Sequence, residues 1–296
     1  MDFCLGTVQL GMRYGIQNSE RPSPSEVVDI LSAALNVGIH YFDTAAAYGE
    51  AEQVLGTFAA ENLEQAKHMN IISKLRPEAF EDAPCEKWKT IAIQQAKESA
   101  KRVRTTQLTA YLFHKASFIF DTTAVEALDV VRKEGIAKRI GVSVYSPKEA
   151  LKALEYPQIG IIQVPYNVFD QRLDQCGFFD MAKKQGVQIF ARSSLLQGLL
   201  AMQPSRLPRH MDFAKPYLLK FLSICDDYCL SPLQAAIGYV ASHPHIDYVV
   251  FGVDNTRQLF EYSAVLREKL PSQVRDTLAD VFHEVDEKLV NPSFWS

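Results

Sequence analysis

The sequence predicts a single (β/α)8 barrel of the TIM type over residues 1–296. Three observations point there. Short runs rich in β-branched and aromatic residues recur eight times, and amphipathic helical stretches separate them. No linker, low-complexity tract or charge run divides the chain. The rival, a doubly wound open sheet, normally carries Gly-x-Gly-x-x-Gly after its first strand, and Gly6-Thr-Val-Gln-Leu-Gly11 does not fit.

Taken in order, the expected strands are 3–5, 41–42, 70–73, 108–113, 139–142, 160–163, 188–191 and 248–250. The expected helices are 24–37, 51–60, 87–103, 123–133, 147–154, 173–185, 217–228, 232–242, 256–267 and 271–288. Ser23-Pro24, Ser146-Pro147 and Ser231-Pro232 each read as an N-cap with proline in the first turn. Gly38, Gly135 and Gly186 read as helix stops.

Composition narrows the partners. A net charge of −4 and a pI near 6.0 argue against a general nucleic-acid or anionic-membrane surface. No apolar run approaches the roughly 18–20 residues of a membrane span. Met1 leads directly into a strand-like segment, so no signal peptide is expected and the setting is read as cytoplasmic. Five scattered cysteines fit reduced thiols there. Cys225 and Cys229, four apart in a helical pattern, read as small core residues, there being no second pair to complete a zinc site. His243-Pro-His245 has the look of a metal pair. It falls between a helix end and the next strand's start, on the barrel face away from the expected site, so no metal is expected.

In a barrel the chemistry gathers just after the strands. Those strand ends supply Gly6-Thr7-Val8-Gln9, Asp43, Tyr48, Lys74, His114, Ser143-Val144, Gln163, Arg192-Ser193-Ser194 and Gly252. Singly, a strand-end lysine is usually a solvated charge and a buried histidine a hydrogen-bonded core residue. An acid, a phenol, an amine and an imidazole at three successive strand ends form a coherent set instead. A phenol of pKa about 10 is a poor acid unless its anion is stabilised, and a nearby ammonium lowers that pKa. A carboxylate keeps the ammonium charged and oriented, and an imidazole can hydrogen-bond the oxygen that receives the proton. Such a set protonates a carbonyl oxygen as hydride arrives at carbon, or runs the reverse.

The motifs Leu5-Gly6-Thr7, Phe42-Asp43-Thr44-Ala45-Ala46-Ala47-Tyr48-Gly49, Ile72-Ser73-Lys74 and Leu112-Phe113-His114, in this order and spacing, resemble those of the aldo-keto reductase family. The resemblance continues through Ile140-Gly141-Val142-Ser143, Ile162-Gln163-Val164-Pro165-Tyr166-Asn167 and Ser193-Ser194-Leu195-Leu196-Gln197-Gly198. It implies a nicotinamide cofactor lying across the barrel mouth and a small carbonyl substrate, an aldehyde, ketone or sugar derivative. Tyr48 would then be the proton donor, tuned by Lys74 and Asp43, with His114 orienting the carbonyl. Ser143 and Gln163 would hold the carboxamide. Gly6, Thr7, Arg192, Ser193, Leu195, Gly198, Gly252, Arg257, Gln258 and Glu261 would complete the cofactor site.

The chain departs from that pattern at several points. Val144 stands where an asparagine is usual, and Arg192 where an aromatic residue usually stacks on the nicotinamide. A guanidinium on that ring face would weaken binding of the positively charged oxidised cofactor. Around 252–258 Arg257 is the cation available to a 2′-phosphate, with Asp254 close by, so the expected cofactor is NADP(H), with NAD(H) kept open. Tyr262 replaces a common adenine-contacting asparagine. Gln9, Tyr14, Lys115, Phe118 and Arg172 would edge an open mouth. Arg192 and Lys115 suit an anionic or sugar-derived substrate, although Lys115 and Arg172 also read as plain rim charges. Two alternatives stand beside the reductase: a barrel that keeps the pocket as a cofactor-sensing module, and a non-redox enzyme using Tyr48 and Lys74 for proton transfer or elimination.

Overall fold

The computed structural model describes residues 2–16, 20–266 and 268–295. Among these, eight strands close into a barrel: β1 Asp2–Gly6, β2 Tyr41–Asp43, β3 Asn70–Leu75, β4 Leu108–Phe113, β5 Ala137–Ser143, β6 Ile159–Pro165, β7 Gln188–Arg192 and β8 Tyr248–Phe251. All pairings are parallel, and β8 returns to β1 through Phe3↔Val249 and Leu5↔Phe251. Several strands run further than their apolar runs suggest. Lys74, Ser143 and Arg192 lie inside the ladders rather than after them, and β6 runs past Gln163 to Pro165. A parallel ladder continues wherever backbone partners exist, whatever the side-chain polarity.

Closure turns alternate side chains inward, and this period of two builds the site. The interior contains Cys4, Ile72, Ala110, Leu112, Ile161, Phe190, Tyr248 and Val250, with Tyr41 packed against them. Towards the strand starts, Tyr248 lies 4.4 Å from Tyr41 and 4.3 Å from Phe190, closing that end. Two residues further along each strand stand Gly6, Asp43, Lys74, His114, Gln163, Arg192 and Gly252. One inward layer is apolar and the next is polar.

The capping predictions hold. Ser23, Ser146 and Ser231 each form a reciprocal capping box, with Glu26, Glu149 and Gln234. Two predicted helices are broken. Residues 173–185 form a short turn, Asp174–Cys176, and then helix Phe178–Gln185, because Gly177 takes φ +71° between them. Residues 271–288 split into Ser272–Val281 and Glu287–Val290, where Phe282 leaves helical geometry to bury its ring against Phe169, 4.9 Å away. Helix Thr256–Val265 stops short of Arg267, which lies outside the described residues.

Behind β3, Ser73 Oγ and Arg102 Nε each donate to the buried Glu52, both at 2.5 Å. This clamps helix Ala51–Glu61 and helix Trp88–Arg102 to the outer side of the strand that carries Lys74. No helix among the described residues is long and apolar enough to cross a membrane.

Candidate active site

Lys74 is buried, and its Nζ donates to Asp43 Oδ1 at 2.7 Å, Asp43 Oδ2 at 2.8 Å, the Thr44 carbonyl at 3.0 Å and Tyr48 Oη at 3.4 Å. An ammonium has three hydrogens. One can be shared by the two carboxylate oxygens, one serves Thr44 and one serves Tyr48. The phenol oxygen thus accepts from Lys74, and its own O–H is left for another acceptor. Burial is the largest single influence and works against the ammonium, but Asp43 and Tyr48 together outweigh it, so the pKa is raised and Lys74 stays charged. Gln163 Nε2 donates to Asp43 Oδ1 at 2.5 Å, a contact that sequence reasoning missed, since it offers no spacing signal between β2 and β6.

Lys74 lowers the Tyr48 pKa as expected, yet the net shift is upward. Burial raises it, and Lys74 offsets only part of the rise. Asp43 opposes part of the ammonium's field, which does not compensate the desolvation of a phenolate. Tyr48 is therefore a neutral phenol at physiological pH, the form a proton donor needs.

His114 sets its ring edge-on to Tyr48, with centroids 5.5 Å apart and planes at 90°. Its Nδ1 is buried without a partner among the described residues. Burial, then the charges of Lys74 and Arg192, push its pKa down to about 3, so the imidazole is neutral. Above pH about 6.5, the ordinary histidine value, folded and unfolded chains both hold it neutral. Below that the unfolded chain takes up a proton that the folded one refuses, so stability falls as pH drops from about 6.5 towards 3. Thermal melting against pH should show a shallower acid loss for His114→Gln than for wild type. Parallel curves would contradict a neutral buried His114.

Tyr48 is placed through its backbone. Its carbonyl accepts from Ala51 N at 3.0 Å, and Gly11 packs flat against it. A Cβ on Gly11 would lie 2.0 Å from the Tyr48 carbonyl oxygen and 2.4 Å from Ala51 N, so only glycine fits there. Thr7 fixes Asp43 from the other side, donating N–H and Oγ1–H to its carbonyl at 2.9 and 3.0 Å. Gly11 was missed because a close backbone approach leaves no local mark in sequence.

The predicted cofactor residues fall into two groups. At the end of β7, Arg192 Nε donates to Ser143 Oγ at 3.2 Å, Nη1 to Ser193 Oγ at 3.3 Å and Nη2 to the Val144 carbonyl at 2.7 Å. Its guanidinium lies 4.4 Å from the Tyr145 ring centroid. Ser193, Leu196, Gln197 and Gly198 then run at positive φ in a tight loop. The Leu195 carbonyl accepts from Gly198 N at 3.0 Å, and Asn167 Nδ2 supports the Ser193 carbonyl at 3.1 Å. Beyond β8, Asn255 caps helix Thr256–Val265 through Gln258 N, and Gln258 Oε1 accepts from Asp254 N at 2.8 Å. Arg257 is exposed and paired with Glu261 at 2.8 Å. Gly252 has the Gln9 amide directly against it, within 2.6 Å of where a Cβ would stand, and Gly6 lies beside the Phe251 carbonyl.

These residues suit a nicotinamide carboxamide, which offers two N–H donors and one carbonyl acceptor. The Asp43 carboxylate forces Gln163 to present Nε2, so Oε1 points away, buried and without a partner among the described residues. That is an acceptor for a carboxamide N–H. Ser143 Oγ already accepts from Arg192, which leaves its O–H free to donate.

Comparison with known proteins identifies the family and the fold. The model of the Aldo/keto reductase family matches residues 2–281. The aldo-keto reductase YhdN of Bacillus subtilis (strain 168) is 23% identical over 318 residues, covering 98% of this chain and 92% of that protein. The L-glyceraldehyde 3-phosphate reductase of Escherichia coli (strain K12) is 25% identical over 269 residues, 78% of this chain and 76% of its own. In fold, the aldo-keto reductase AKR11C1 from Bacillus halodurans, holo form, superposes with a TM-score of 0.77 at 20% identity, covering 98% of this chain and 95% of that one. The chain belongs to the aldo/keto reductase family and is an NAD(P)H-dependent oxidoreductase of the carbonyl–alcohol couple.

Proposed function

We propose that this single-barrel protein reduces the carbonyl of a small aldehyde, ketone or sugar derivative, with Tyr48 as proton donor and NADP(H) preferred over NAD(H). The observation that carries the reading is the hydrogen count on Lys74, which leaves the Tyr48 O–H free while its oxygen already accepts from the ammonium. When bound, the reduced nicotinamide supplies hydride to the carbonyl carbon. Gln163 Oε1 and the Ser143 hydroxyl hold the carboxamide. Tyr48 donates its proton to the carbonyl oxygen, and the phenolate left behind sits against Lys74 Nζ, 3.4 Å away. Asp43 keeps that ammonium charged, and Thr7 and Gln163 keep Asp43 in place. The neutral His114 offers an N–H to the same oxygen without competing for the proton. Five free cysteines support a reducing, cytoplasmic setting.

The cofactor preference rests on Arg257 in the first turn of helix Thr256–Val265, where the helix N–H groups add to its pull on a phosphate. Glu261 holds the guanidinium until a phosphate replaces it. Turnover is tested by the change in cofactor absorbance with a carbonyl panel. Fluorescence quenching by NADPH and NADH should give tighter NADPH binding in wild type. Arg257→Ala should shrink the difference about tenfold, the worth of one charge-assisted hydrogen bond. Equal affinities in both proteins would remove Arg257 from the cofactor site.

A further inference from the structure

Arg192 differs from the basic side chains that the fold draws below its surface around the barrel mouth and behind β3. Lys74 is paired with Asp43, Arg102 with Glu52 and Arg172 with Asp170. At the rim Lys115 is paired with Glu81. Arg192 is partly buried, yet among the described residues no carboxylate lies within ion-pair distance of it. Its hydrogen-bond partners are two hydroxyls, Ser143 and Ser193, and the Val144 carbonyl. A charge withdrawn from water without a counter-charge is costly unless a ligand supplies one.

The side chain is also held ready. Three hydrogen bonds and the Tyr145 ring fix the guanidinium plane, so little rotamer freedom remains to be lost on binding. A guanidinium has five N–H donors, and three are engaged, which leaves two for a ligand. Three of its four contacts, Ser143, Val144 and Tyr145, belong to the end of β5 rather than to the 193–198 loop. Its field reaches the reacting groups, lowering the pKa values of both His114 and Tyr48.

We infer that Arg192 is the anion-recognition residue of the substrate pocket, and that the carbonyl compound reduced here carries a carboxylate or phosphate group. This rests on the reductase reading given above. It also separates Arg192 from Lys115 and Arg172, whose charges are already answered by Glu81 and Asp170.

The test pairs acids with neutral analogues. Turnover of 4-carboxybenzaldehyde is compared with that of its methyl ester, and 4-formylphenyl phosphate with 4-methoxybenzaldehyde, in wild type, Arg192→Gln and Arg192→Lys. Within one variant the acid-to-neutral ratio of kcat/KM cancels any change in cofactor binding. In wild type the ratio should favour the anion about 10- to 100-fold, fall to about one in Arg192→Gln, and survive in part in Arg192→Lys. Whichever pair gives the larger ratio identifies carboxylate or phosphate. A second arm needs no turnover: calorimetric titration of cofactor-loaded protein with benzoate, phenyl phosphate and benzamide. The anions should bind wild type and fail to bind Arg192→Gln. A wild type without anion preference overturns the inference, as does a preference that Arg192→Gln leaves intact. So does a variant that alters only the ratio of oxidised to reduced cofactor affinity, which would place Arg192 on the cofactor. If no aldehyde turns over, the reductase reading fails, and the titration still decides Arg192 by itself.

Discussion

Tyr48→Phe is expected to lower kcat/KM for carbonyl reduction about 100- to 10,000-fold, the usual contribution of a positioned general acid. The substitution removes one hydroxyl that accepts a single 3.4 Å hydrogen bond from Lys74. The ring's edge contact with His114 and the backbone seat against Gly11 do not involve the oxygen. Fold and cofactor binding should therefore stay close to wild type, and fluorescence quenching by NADPH checks this in the same sample. Full activity in the Phe variant would dismiss Tyr48 as the donor. The proton would then have to come from water or from His114, whose pKa near 3 makes it a poor source at neutral pH.

Asp43→Asn should be the most damaging single change to stability among the site residues. The carboxylate is the counter-charge of a buried ammonium and also accepts from Gln163 Nε2. An asparagine removes the charge and can turn an N–H₂ towards Lys74. Breaking a buried pair by removing one partner typically costs about 3–5 kcal/mol, because the other charge is stranded. The midpoint of urea unfolding should fall accordingly, and reduction should be lost with it. The double variant Asp43→Asn/Lys74→Met removes the stranded charge and should recover part of the stability without recovering activity. An unfolding midpoint for Asp43→Asn equal to wild type would mean that Lys74 is not held as a buried cation.

Much of this arrangement could be read from the chain because a barrel strand obeys a period of two. Ile72 to Lys74, Leu112 to His114 and Ile161 to Gln163 each step from a core residue to a polar one on the same inward face. Tyr48 was legible for another reason, the run of small residues that makes a tight turn after β2. What escaped depends on distances between segments far apart in sequence. The Gly11 seat beneath Tyr48 and the Gln163–Asp43 bond are of this kind. The direction of the Tyr48 pKa escaped too, because it follows from burial and from how far Asp43 cancels Lys74. The break at Phe282 reflects a ring that gains more from packing on Phe169 than a continued helix would give. Arg192 was found at its position, but its turn towards Ser143, Val144 and Tyr145 could not be read from a single residue.

The central claim is that hydride reaches a carbonyl carbon in this pocket while Tyr48 supplies the proton. The most direct measurement is mass spectrometry of the alcohol formed when the protein is given NADPH with both nicotinamide C4 hydrogens replaced by deuterium and the best carbonyl of the panel. The account predicts one deuterium on the carbinol carbon for each cofactor oxidised, in wild type, and almost none formed in Tyr48→Phe although that variant binds the cofactor. Cofactor that binds to wild type yet never delivers deuterium to any product would contradict it.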